Sequence, residues 1–241
     1  MNRKDFLKGL GFAGVTAVAA PVLIHCRHDE EVEDTGTEAS GNSTTTGCTV
    51  TNSETEGPFP TKSPSSLIQK NIIGDRTGIS LSIVITIQNA NANCSNLEGA
   101  IVDIWHCDKE GNYSEYGGTT MQSANYTNYH FLRGRQTTDS NGQVNFTSIF
   151  PGWYDGRATH IHVHVYTANG NSLLVTQIAF PEGSSSEVVQ VNSTSGYRGM
   201  SGYTYNSNDN VFGDGYTNEL CSLTGNTANG YALTHIIKVS A

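Results

Sequence analysis

The pentapeptide His160-Ile161-His162-Val163-His164 sets three imidazoles at alternate positions. In a strand, alternate residues share a face and neighbours on that face lie about 7 Å apart, so two of the three can grip one metal ion. An isolated His-x-His reads equally well as inert strand histidines, and only its surroundings separate the two readings. Tyr154 and Arg157 stand just upstream at a glycine-containing bend, in the string GWYDGRATHIH. Tyr113 occupies a second turn, GNY, which follows the segment Trp105-His106-Cys107. Taken singly, each tyrosine reads as a core or rim aromatic. Taken with the histidines, they offer phenol oxygen beside imidazole nitrogen.

The segments TEGPF (55–59), GAIVDIWHCDKEGNYS (99–114), FLRGRQTTDSNGQVNFTSIFPGWYDGRATHIHVHV (131–165) and TQIAF (176–180) resemble the intradiol ring-cleavage dioxygenases. These are non-haem iron enzymes that include catechol 1,2-dioxygenase and protocatechuate 3,4-dioxygenase. The resemblance implies a mononuclear Fe(III) site with Tyr113 and His160 as equatorial ligands and Tyr154 and His162 as axial ones. It also implies Arg157 as a catalytic residue that stabilises negative charge developing on the ring, and Gln177 beside the pocket for substrate and O2. The implied reaction opens a catechol-type ring between its two hydroxyl-bearing carbons with O2 and gives a cis,cis-muconate, with Tyr154 leaving the metal and taking a catechol proton. Where the family commonly has Arg-Pro-Ala, this chain has Arg157-Ala158-Thr159, so the turn lacks the stiffness of a proline. His164 falls outside the four-ligand set and reads as a neighbouring or surface histidine.

The chemistry of that set stands without the family. Ferric iron is a hard Lewis acid that favours anionic oxygen with imidazole nitrogen, whereas zinc sites favour Cys, His and carboxylate. A free phenol has a pKa of about 10, so the metal itself must acidify both hydroxyls near neutral pH. Two other readings compete. One is an H-x-H protein holding Zn, Mn or Cu with the tyrosines as bystanders. The other is a secreted β-sandwich binding module, with Trp153, Tyr116, Tyr126 and Tyr129 as a platform for a carbohydrate or aromatic ligand.

The elements that must position these residues are strands. With 26 Gly, 6 Pro and 15% charged residues in 241, the chain suits short strands joined by polar turns. An all-β, antiparallel β-sandwich with long loops and little helix is expected. SLSIVITIQNA at 80–90 alternates, with Leu81, Ile83, Ile85 and Ile87 on one face. LEGAIVDIWHC at 97–107 is more continuously apolar, and QTTDSNGQVNFTSI at 136–149 reads as strand, Asn-Gly turn, strand, a hairpin. RATHIHVHVYT (157–167), SLLVTQIAF (172–180) and the closing YALTHIIKVS add three more strands. The polar stretch from about 181 to 227 carries no clear pattern and reads as either a pocket wall or surface irregularity.

The N-terminal residues read as an address. Arg3, Lys4 and Lys8 precede an apolar run from about Leu10 to Ile24, too short for a comfortable membrane span and suited to a signal sequence. NRKDFLKGLG resembles a twin-arginine export signal with Lys4 in place of the second arginine. Residues 1–26 are thus an expected export signal, ending either in lipid attachment at Cys26 or in cleavage after Ala17-Val18-Ala19. Residues 27–50, acidic and then rich in Ser and Thr, are expected to be a disordered linker, and 51–241 the catalytic domain. The chain is therefore expected to be exported, whether periplasmic, secreted or lipid-anchored, and to resemble the compact exported members of the family. Of five cysteines, Cys48, Cys94, Cys107 and Cys221 form an even set. In an exported chain two disulfides are expected, in any of three connectivities, of which Cys94 with Cys107 and Cys48 with Cys221 is favoured because the second pair would pin the two ends of the domain together. A net charge of −9 with no basic stripe argues against a nucleic-acid partner and for small molecules, a catechol and O2.

Overall fold

The computed structural model describes residues 48–241; the expected export signal and nearly all of the expected linker, with Cys26, lie outside the described residues. Among the described residues, nine strands build two sheets. The alternation of 80–90 produces β1 (Ser80–Asn89), whose Leu81, Ile83, Ile85 and Ile87 are almost wholly buried while Ser80 and Ser82 face solvent. β2 (Ser95–Asn96) and β5 (Gln143–Ile149) pair antiparallel with β1, and β9 (Gly230–Val239) lies along it in parallel register. β8 (Ser222–Asn226) closes this sheet against β9. The second sheet runs β4-β3-β6-β7 from β3 (Ile101–Trp105), β4 (Arg133–Thr137), β6 (His160–Tyr166) and β7 (Ser172–Ala179), all antiparallel. The sandwich is all-β as expected, with β1–β9 as its one parallel pair among the described residues. The single α-helix among them, α1 (Glu187–Asn192), is six residues long.

The core sits between the sheets. Leu81, Ile83, Ile85, Ile87, Val144, Phe146, Leu233 and Ile237 from one sheet meet Val102, Ile104, Ile161, Val163 and Val165 from the other. The strands of 136–149 do not form the expected hairpin. An Asp139–Gly142 turn joins β4 to β5, but β4 pairs with β3 and β5 with β1, so the turn carries the chain from one sheet to the other. β5 has an apolar face to bury, and its pairing with β1 lets Val144 and Phe146 complete the core.

The cysteines also pair differently from expectation. Cys48 bonds to Cys94, and Cys107 and Cys221 are free buried thiols. The bridge ties the incoming chain to the end of β1, while Cys107 is packed with Trp105, Phe59 and Tyr113 beneath the site. Burial pushes both remaining thiols far up in pKa, so neither is a ready thiolate.

The stretch 181–227 is ordered by specific bonds. The Tyr203 hydroxyl donates to Glu182, and the backbone N–H of Thr159 donates to the Tyr203 oxygen at 3.0 Å. Val211 of this stretch lines the pocket beside the histidines, the first of the two readings, while Ser222–Asn226 belongs to the other sheet.

Candidate metal centre

Register decides which side chains meet. Arg133, Trp105, His162 and Gln177 are directly cross-strand neighbours, one from each of β4, β3, β6 and β7, and so form one row on the face of the sheet turned away from the sandwich core. His160 and His164 flank His162 on that face, two residues to either side. Loops cover the face, which is why β6 is buried from His160 through Val165 instead of alternating.

The covering segments are fastened to the row by Arg133, which is 1% exposed. Its Nε donates to Ser114 Oγ at 2.8 Å and its Nη2 to the Ser114 carbonyl at 2.7 Å. Its Nη1 donates to the Phe59 carbonyl at 3.0 Å and to Thr61 Oγ1 at 3.1 Å. One guanidinium thus anchors the 106–132 loop beside Tyr113 and the 54–62 segment beside Phe59. Gln122 completes the placement of Tyr113, accepting its N–H at 2.7 Å and donating to its carbonyl at 2.8 Å. The Tyr113 ring stacks on Phe59 with centroids 4.8 Å apart.

Three donor atoms converge. Tyr113 Oη lies 3.1 Å from His160 Nε2, and His160 Nε2 lies 3.1 Å from His162 Nε2. His160 Nδ1 is 2.7 Å from the Ala158 carbonyl, which only a protonated Nδ1 can bond, so Nε2 presents a bare lone pair. The His162 ring is held by stacking on Trp105, with centroids 4.8 Å apart and planes 1° from parallel, while its Nδ1 is buried without a partner. Burial, and then the Arg157 charge, holds His160 well below the usual imidazole range; burial, and then His160, does the same to His162. Burial pushes the Tyr113 phenol well up. Two neutral imidazoles with nitrogens facing each other beside a phenol that cannot ionise unaided make a poor hydrogen-bonded set and a good ligand set. Two nitrogens bound at about 2.1 Å and at right angles on one metal stand about 3.0 Å apart, close to the separation seen.

Tyr154 lines the same pocket, its ring centroid 6.1 Å from that of Tyr113, but its hydroxyl donates to the Met121 carbonyl at 3.2 Å. No group of three or more His, Cys, Asp or Glu side chains suited to a metal occurs among the described residues; the phenols lining the pocket with His160 and His162 are those of Tyr113 and Tyr154. His164 belongs elsewhere: Glu56 at 2.9 Å, Ser172 Oγ at 2.8 Å and the stacked Tyr166 ring occupy it.

The pocket holds about 140 Å³ and is walled by Thr55, Gly57, Pro58, Phe59 and Val211 around Tyr113, Tyr154, Arg157, His160 and His162. Arg157 Nη2 donates to Gln177 Oε1 at 2.6 Å, and Gln177 Nε2 donates to the Thr55 carbonyl at 2.8 Å. Behind Arg157 lies Asp209, a partner that sequence reasoning missed, with its carboxylate 2.8 and 2.9 Å from Nε. The only local signal for Asp209 was an Asp ahead of Val211-Phe212, which marks a cap of a short turn and says nothing about an arginine 52 residues away.

Comparison with known proteins shows the family and the fold. A family profile described as dioxygenase matches residues 56–194. A chlorocatechol 1,2-dioxygenase of Rhodococcus opacus is 30% identical over 103 residues, which is 35% of this chain and 37% of that protein. The chain thus spans well under half the length of that relative. The structure of an intradiol ring-cleavage dioxygenase from Tetranychus urticae is 30% identical with a TM-score of 0.69, covering 80% of this chain and 95% of that one. The dioxygenase domain of a carbohydrate-binding fusion from Streptomyces sp. SirexAA-E shares the fold at 22% identity, with a TM-score of 0.57 over 79% of this chain and 97% of that one.

Proposed function

We propose, since this chain belongs to the intradiol ring-cleavage dioxygenase family, that it opens a catechol-type ring between the two hydroxyl-bearing carbons with O2 at one ferric ion held by Tyr113, Tyr154, His160 and His162. The observation that carries the reading is the 3.1 Å convergence of Tyr113 Oη, His160 Nε2 and His162 Nε2 on one buried face. The hard oxygen and nitrogen donors suit Fe(III). When bound, ferric iron supplies Lewis acidity that favours the doubly deprotonated catechol.

The chain's own groups do the rest. Phe59, Pro58 and Val211 give the ring an apolar slot and keep water from its faces. Tyr154, as the phenolate that would help hold the iron, would take one catechol proton at Oη, and the phenol so formed has the Met121 carbonyl within 3.2 Å to donate to. The second goes to solvent. Arg157, fixed through Gln177, faces the negative charge that builds on the ring. Export is proposed as well, on the signal-like N-terminal sequence together with the Cys48–Cys94 bridge, which an oxidising compartment would preserve.

Oxygen uptake with a panel of catechols, measured alongside iron content and the visible spectrum, tests the proposal. Iron-replete protein is expected to show a tyrosinate-to-iron absorption band, and His160→Ala to abolish or strongly shift it. Colourless iron-replete protein would overturn the ligand set. Catechol bound without oxygen uptake would favour a binding module instead.

A further inference from the structure

Arg157 is held by two of its three nitrogens, and the stronger hold comes from outside the four sequence segments that mark the family. Both carboxylate oxygens of Asp209 accept from Nε, at 2.9 and 2.8 Å. Oδ2 also accepts the backbone N–H of Ala158 at 2.9 Å, and Oδ1 that of Val211 at 3.0 Å. The Asp209 side chain is fully buried and that of Arg157 is 14% exposed. The Ala158 bond exists because residue 158 is not proline, which has no N–H to give. One carboxylate thus fastens the guanidinium, the backbone next to it, and the wall residue Val211.

Charge adds a second consequence. Among the side chains lining the pocket, Arg157 is the one arginine or lysine, and there is no aspartate or glutamate. Asp209 stands directly behind that cation and cancels it. A ring carrying an extra carboxylate would find no uncompensated cationic side chain to receive it.

We propose that Asp209 is the positioning residue for Arg157, and that by fixing and neutralising the guanidinium it makes the pocket select catechols without an added anionic group over carboxylated ones. This rests on the dioxygenase reading of the same site. Removing Asp209 frees the guanidinium to turn and uncovers its charge. Alignment with the reacting ring is lost while the pull on an anionic substituent grows.

The test uses the full iron-loaded chain with Asp209→Asn and Asp209→Glu. Three quantities are compared with the parent: iron content with the visible band, anaerobic titrations with catechol and with protocatechuate, and oxygen uptake. Asp209→Asn is expected to keep its iron and band, to bind catechol within about threefold of the parent, and to lose ~10- to 100-fold in kcat. Its protocatechuate-to-catechol ratio of kcat/KM rises at least about fivefold, since 1.4 kcal/mol of uncovered attraction is already tenfold, and Asp209→Glu recovers part of the kcat. A kcat within twofold of the parent overturns the proposal, as does an unchanged selectivity ratio. Parallel loss of iron and turnover in both variants also overturns it, reducing Asp209 to a structural role. If the parent itself turns over no catechol, the dioxygenase reading fails on its own. The titrations then decide this inference, because the protocatechuate-to-catechol affinity ratio must still rise in Asp209→Asn.

Discussion

Gly57 is the position where a single methyl group should damage the proposed centre without replacing any of its ligands. Its φ is +68°, and an added Cβ would stand 3.1 Å from His162 Cε1. The left-handed backbone costs a side-chain-bearing residue about 1–2 kcal/mol. Carbon atoms rest about 3.5–4.0 Å apart, so the imidazole would have to retreat by roughly half an ångström. It has nowhere to go, because its other neighbours are Trp105, stacked at 4.8 Å, and Tyr113, with centroids 6.0 Å apart; overpacking of this kind adds about 1 kcal/mol or more. Gly57→Ala is therefore expected to lose about 2–3 kcal/mol, a fall in Tm of roughly 4–12 °C for a domain of this size, and to shift the visible band as His162 Nε2 moves. Gly170 supplies the control, since its φ is +83° with nothing within 4 Å of a built Cβ. Gly170→Ala carries only the backbone cost and leaves the band alone. Thermal unfolding and absorption spectra of both iron-loaded variants, repeated after iron removal, make the comparison. If Gly57→Ala matches Gly170→Ala in Tm and keeps the parental spectrum, the account of a pinned His162 is wrong.

Two further outcomes follow from groups outside the centre. Burial lifts the Glu219 carboxyl to about 8, and burial with Asp214 lifts Glu54 to about 7. The folded state thus binds these protons more tightly than the unfolded chain, so their stabilisation is complete below the ordinary carboxylate pKa and is lost as pH rises towards 7–8. Glu219→Gln is expected to flatten the decline in stability between pH 5 and 8, on the order of 3 kcal/mol in the parent; urea melts across that range with unchanged slope would contradict it. The Cys48–Cys94 bridge spans 46 residues, a closure worth about 4 kcal/mol in the chain-entropy account. Cys48→Ser and Cys94→Ser should therefore cost about 2–4 kcal/mol each, by the same amount, and the unfolded, unreduced parent should titrate two thiols from Cys107 and Cys221, plus Cys26 where it is retained. Unequal losses would argue for another pairing.

Much of this molecule was written locally. The two-residue period of 80–90 determined which face of β1 is buried, because side chains alternate along any strand whatever it pairs with. The same rule put His160 and His162 on one face, and the order of short motifs from TEGPF to TQIAF identified the family and named Arg157 and Gln177. Pairing is not local, and there the sequence was silent or misleading. The Asn-Gly turn between β4 and β5 looked like a hairpin because turn chemistry specifies a reversal of direction but not the sheet that receives the strand. Four cysteines allow three connectivities, and only the path of the chain past the end of β1 selected Cys48 with Cys94. The Asp209–Arg157 ion pair and the Gln177–Thr55 bond join residues 52 and 122 positions apart. The identities of the donors were therefore set by the sequence, whereas their 3.1 Å convergence and the partners that aim them came from the packing of loops onto a sheet face, which no local period encodes.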